Sequence, residues 1–136
     1  MSAEAVYAAE ATLDPGRAFG AISQVQRYLD ALCASDWWGE RFPGVVRIEA
    51  VGIRSRCVEA VGRPEPERNT GTIGITPDGR KELTTLHEVA HVVCRPDAGH
   101  GPEWVRTYLE IVYRLMGTEP WLALRDALVS RGINIG

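Results

Sequence analysis

Leu83-Thr84-Thr85-Leu86-His87-Glu88-Val89-Ala90-His91-Val92-Val93 is the stretch from which the rest of the chain is read. Successive residues on a helix turn by ~100°, so His87 and His91 project from one face a single turn apart, the H-E-x-x-H spacing of a pair that holds one metal ion. Glu88 lies about 100° round from His87, at the edge of that face. That position suits a general base acting on a water at the metal better than a further helical ligand. Leu83, Leu86, Val89, Ala90 and Val93 occupy the other side, which predicts a buried apolar back beneath a His/Glu front.

Tetrahedral zinc with one exchangeable position needs a third protein ligand. The remaining histidine is His100, in Asp97-Ala98-Gly99-His100-Gly101-Pro102-Glu103-Trp104. Glycines on both sides allow a sharp turn and Pro102 suits the first turn of a new helix, so His100 is expected at a loop-to-helix junction facing back to the first histidines. Glu103, one turn into that next helix, is the rival third ligand, and Glu110 is a more distant one. Cys94 follows His91 at i+3 and reads as a buried structural thiol. Asp97 reads as a turn residue that could also accept the second ring N–H of a ligand imidazole. Tyr28, Tyr108, Tyr113 and Arg68 are each chemically able to stabilise an oxyanion, and the sequence does not choose among them.

A chain of 136 residues is most simply one domain, 1–136, with a sizeable core. Its net charge of -3 and pI near 5.6 offer no general attraction to nucleic acid or an anionic membrane. Arg54, Arg56, Arg63, Arg68, Arg80 and Lys81 alternate with Glu59, Glu65, Glu67 and Asp78, which reads as a solvated surface and not a phosphate track. The N-terminus carries acidic residues where a signal peptide is basic, and no run approaches the ~20 apolar residues of a membrane span. Cys33, Cys57 and Cys94 form no C-x-x-C pair, which argues against a disulfide framework or a cysteine ribbon and fits a reducing cytoplasm.

Around the histidine helix, predicted over about Arg80 to Cys94, the remaining elements follow from pattern. Residues 1–13 fit either a helical turn or an edge strand. Asp14-Pro15 reads as a helix start, with Phe19, Ile22, Val25, Leu29 and Leu32 as its buried stripe and an end near Ser35. Asp36 to Gly44 reads as a packed loop in which Trp37 and Trp38 plug the core or, less simply, line a cleft. Val45–Val51 and Cys57–Val61 read as an antiparallel hairpin, Gly62–Asn69 as a loop, and Thr70–Thr76 as a third strand. Glycines inside that third strand suit an edge, where Ile73, Gly74 and Ile75 would accept an extended peptide by strand addition. Pro102–Met116 reads as a third helix, with Trp104, Tyr108, Ile111, Val112 and Leu115 inward, stopped by Gly117. A fourth helix follows Thr118-Glu119-Pro120, with Trp121, Leu124, Leu128 and Val129 inward.

Leu86-His87-Glu88-Val89-Ala90-His91 followed by His100-Gly101-Pro102-Glu103-Trp104 resembles the SprT-like branch of the zincin metallopeptidases, in which H-E-x-x-H is followed by a histidine in an H-G-x-x-W or H-G-x-x-F setting. With Trp37-Trp38, Glu40-Arg41-Phe42-Pro43 and Thr85-Leu86-His87-Glu88 included, the chain also looks like a family of small bacterial metallohydrolases of about this length. The resemblance implies zinc held by His87, His91 and His100, Glu88 as general base and acid, a small zincin fold with an edge strand above the cleft, and peptide hydrolysis. Longer SprT-like proteins carry a cysteine zinc ribbon or DNA-binding extensions that this sequence does not show, which argues against DNA-protein crosslink repair.

The expectation is therefore a single α+β domain of minimal zincin type: a small, mainly antiparallel three-stranded sheet packed with about four helices. Its activity would be that of a zinc peptidase acting on a peptide or protein, with no membrane or nucleic acid as partner. A metal-dependent ribonuclease and a non-catalytic module stapled by structural zinc are the rivals. The nuclease lacks the Glu88 position, and structural zinc needs a fourth protein ligand.

Overall fold

The computed structural model describes residues 3–54, 60–65, 69–95 and 97–136, with strand 60–65 given by its backbone. Its elements are α1 (Ala3–Glu10), α2 (Ile22–Ala34), α3 (Asp36–Arg41), β1 (Arg47–Gly52), β2 (Ala60–Glu65), β3 (Thr70–Ile75), α4 (Glu82–Val93), α5 (Pro102–Met116) and α6 (Thr118–Ser130).

The sheet departs from the expected one. Its order is β1-β3-β2, with β1 parallel to β3 from Arg47↔Thr70 to Gly52↔Ile75, and β2 antiparallel to β3 from Ala60↔Ile75 to Glu65↔Thr70. It is thus a mixed sheet with a parallel pair, not a mainly antiparallel one, and six helices accompany it among the described residues instead of about four. No β1–β2 hairpin forms, because β3 inserts between those strands. Gly71, Ile73, Gly74 and Ile75 are all buried, and a strand covered on both faces belongs at the centre of a sheet. Ile73, Gly74 and Ile75 therefore have no free edge to offer a peptide.

The second strand, described over Ala60–Glu65, runs further than its sequence pattern predicts. The expected Cys57–Glu59 portion lies outside the described residues. Pro64 falls within β2, which is tolerable because this strand ends the sheet and a proline donates no ladder hydrogen bond. The opposite edge is capped by a side chain. Gln26 of α2 accepts from Ala50 N at 2.7 Å through Oε1 and donates to Ile48 O at 2.9 Å through Nε2, standing in for the peptide group of a further strand.

Helix α2 starts at Ile22, not at Pro15. Asp14 closes a local turn instead, accepting from Gly16 N at 2.9 Å. The segment after it is held extended by α4, whose N-cap Lys81 makes no side-chain cap bond. Leu83 N donates to Pro15 O at 2.9 Å and Glu82 N donates to Arg17 O at 2.8 Å. Two backbone donors that a helix start leaves unpaired are thus satisfied by carbonyls from the segment predicted to be helical.

Residues 36–41, read as loop, form α3, capped by Ser35 Oγ accepting from Trp38 N at 3.3 Å. Trp38 is buried against Phe42 and its indole donates to Val45 O at 2.7 Å, so it plugs the core. Helix α5 has the predicted bounds. In α6 Leu124 and Leu128 form the inner stripe, whereas Val129, predicted inward, is 49% exposed. No helix among the described residues is long and apolar enough to cross a membrane.

Candidate metal centre

Helix α4 is buried on nearly every side: Leu86, Val89 and Ala90 on its apolar back, and His87 and Glu88 on its front as well. It packs on β2, β3 and α5, so the two histidines one turn apart start from a fixed backbone. His100 comes from the turn before α5, where Gly99 adopts φ +54° and Gly101 N donates to Ala98 O at 2.9 Å. A positive φ favours glycine there, and the resulting turn brings His100 back to α4.

The three rings meet through their Nε2 atoms. His100 Nε2 lies 3.1 Å from His91 Nε2 and 3.2 Å from His87 Nε2. One nitrogen from each of His87, His91 and His100 lies within 4.8 Å of the others, close enough to hold a metal ion together. Glu103 pairs with Arg95 at 3.2 Å and Glu110 with Arg41 at 3.1 Å, so neither carboxylate joins the group. Cys94 is buried, and burial pushes its thiol pKa up, as a structural thiol requires.

Sequence reasoning missed the group that orients the cluster. Glu10, at the end of α1, places Oε2 at 2.6 Å from His87 Nδ1, and the Tyr108 hydroxyl donates to the same oxygen at 2.6 Å. With Glu10 ionised, the ring proton of His87 sits on Nδ1 and the Nε2 lone pair faces the other two histidines. Asp97 is an exposed turn residue, as predicted, and its other reading as an acceptor for such a ring has no contact behind it among the described residues. The available clue was faint: Tyr7 and Glu10 are three apart and share a face only if residues 1–13 are helical.

Trp104 closes the back of the centre, with its ring centroid 4.7, 5.0 and 4.5 Å from those of His87, His91 and His100. Tyr7 stacks on His87 at 5.6 Å and meets His100 edge-on at 5.8 Å, while remaining half exposed. It is the tyrosine on the open side. Tyr108 is fully buried, and its phenol is held protonated by burial and by the Glu10 charge, so it is a buttress and not a group facing substrate. Tyr28 donates to Glu82 Oε2 at 2.6 Å and Tyr113 lies against Trp121, both among other partners; Arg68 is outside the described residues.

The electrostatics favour neutral rings at His91 and His100. Burial, followed by the neighbouring rings, pushes the pKa of His91 down to about 3. Burial and His87 push that of His100 down to about 4. For His87, burial opposes the charge, but the hydrogen bond and charge of Glu10, with Glu88, outweigh it and the net shift is upward. Glu88 is buried, with Oε2 3.8 Å from His87 Nε2. Three ring nitrogens pressed together cannot all find proton donors in one another, whereas a cation satisfies all three lone pairs. The residues present therefore fit a bound metal ion.

Glu10→Gln is expected to keep the fold and weaken metal affinity about 10–100-fold, the usual cost of losing an outer partner of a ligand histidine. Competition against a chromophoric chelator measures it, and an unchanged affinity would make Glu10 a packing residue only.

No family model, curated protein or solved structure matches the chain. The likeness to SprT-like proteins thus stands on the motif residues alone.

Proposed function

We propose that the protein is a zinc-dependent hydrolase and, within that class, a peptidase. The observation that carries this reading is the convergence of three imidazole Nε2 atoms beside a buried carboxylate that is not one of the converging donors. A zinc held only for structure has four protein ligands, whereas a catalytic one has three and an exchangeable position. Among the described residues the converging group contains three. Three imidazoles with a tetrahedral preference favour zinc over magnesium or calcium, which select oxygen donors.

His87, His91 and His100 would hold the ion, which when bound supplies Lewis acidity toward a carbonyl and toward water. The protein's own groups do the remaining work. Glu88 takes the proton of the attacking water at its carboxylate and passes it to the leaving amine. Glu10 and Tyr108 keep the His87 ring in one tautomer and orientation. Trp104 excludes water from behind the rings. A peptide substrate is favoured by the H-E-x-x-H…H-G-P-E-W resemblance and by β2, which ends the sheet among the described residues and packs on α4.

Zinc-loaded protein incubated with a quenched-fluorescent peptide library should cleave it. A chelator should abolish the cleavage and added zinc restore it, while a parallel RNA substrate stays intact. Zinc uptake without cleavage of any peptide, or hydrolysis of the RNA, would overturn the peptidase reading.

A further inference from the structure

Apart from the histidine cluster, the protein has a cavity of about 780 Å³ between the segment before α2, α2 itself, α3 and the end of α5. It shares no residue with the metal centre, and its size is in the range of small-molecule sites. Three guanidinium groups line it, Arg17, Arg27 and Arg114, and no aspartate or glutamate does. In a chain of net charge -3 this is a local reversal of sign.

The arginines come from three separate segments, so their gathering here is a product of the fold. Two lie over aromatic rings. Arg114 lies over the Trp37 ring at 5.3 Å, and Arg17 lies over Tyr28 at 5.2 Å and Phe19 at 5.8 Å. A guanidinium over an aromatic face can still present N–H donors to an anion. Neither Arg27 nor Arg114 has a carboxylate within ion-pair distance among the described residues, whereas Arg17 pairs with Glu82, its guanidinium at 3.9 Å and its backbone N–H donating to Oε1 at 3.3 Å. The same walls carry apolar and aromatic surface from Trp37, Phe19 and Tyr28.

We infer that this cavity is a second ligand site, separate from the metal centre, that binds a small phosphomonoester carrying a flat or apolar body. A phosphate head concentrates about two charges and three terminal oxygens at one point, which matches three guanidinium groups better than a single carboxylate does. The body would lie along the aromatic wall.

Calorimetric titration tests it with adenosine monophosphate, adenosine and inorganic phosphate as probes. The monophosphate should bind, with adenosine and inorganic phosphate each at least about tenfold weaker, because each offers half of the complementary surface. Arg27→Ala/Arg114→Ala should weaken the monophosphate at least about tenfold while metal uptake is unchanged. Both side chains are exposed on helices, so the fold should survive. In the unaltered protein, raising salt should weaken the monophosphate and leave adenosine unaffected, a reading that needs no variant. His91→Ala should bind the monophosphate as the parent does, which separates this site from phosphate taken up by a metal. Absence of monophosphate binding, equal binding by the double arginine variant, equal affinity for inorganic phosphate, or loss of binding in His91→Ala would each overturn the proposal.

Discussion

On the proposed peptidase reading, Glu88→Gln is expected to take up the same metal with the same affinity as the parent protein and to hydrolyse peptide roughly 10²–10⁴-fold more slowly, the range that a positioned general acid–base supplies. The substitution is nearly isosteric, which matters because Glu88 is buried on α4 and a shape change there would disturb the packing. An amide cannot take a proton from water, so the loss falls on kcat. The three ring nitrogens are untouched, so the metal affinity does not move. Paired measurement of metal affinity and of kcat separates the two effects. A glutamine variant with full activity would remove Glu88 from the mechanism, and one that fails to bind metal would make it a ligand.

His100→Ala is expected to lose metal affinity by more than the ~10–100-fold cost of an outer partner, and the proposed activity with it, because one of three converging donors is gone. Glu103→Ala changes neither. The contrast is sharp because both residues lie near the start of α5, yet His100 Nε2 stands 3.1 Å from His91 Nε2 while Glu103 pairs outward with Arg95. Equal loss in the two variants would return the third-ligand question to a two-His, one-Glu set. The His100→Ala loss should appear in chelator competition before any activity assay, so it does not depend on knowing the substrate.

The reach of the sequence differs from element to element for physical reasons. Helix α5 was legible to its ends, since Pro102 opens it, Gly117 at φ +94° closes it, and its apolar stripe keeps a clean helical period. The histidine cluster was largely legible too, because H-E-x-x-H places two imidazoles by local geometry alone and the chain holds just one further histidine, with Glu103 as its rival. By contrast, Asp14-Pro15 carries the chemistry of a helix start and does not make one. The carbonyls of Pro15 and Arg17 are taken by the first N–H groups of α4, a demand that arises 68 and 65 residues later in the chain. Likewise the glycines of β3 fit an edge or a covered central strand equally well, and strand order is chosen by which faces end up buried.

The sequence by itself determined that His87 and His91 could share a metal and that Glu88 would stand beside them, because both follow from helical repeat, and it left His100 and Glu103 as rivals for the third place until the structure turned Glu103 out to Arg95. The tertiary structure decided what surrounds them: Glu10 and Tyr7 brought from the first helix to His87, β3 moved to the middle of a mixed sheet, and three distant arginines set around one cavity. These are contacts between segments far apart in the chain, fixed by burial and by pairing of backbone groups, and no local pattern encodes them.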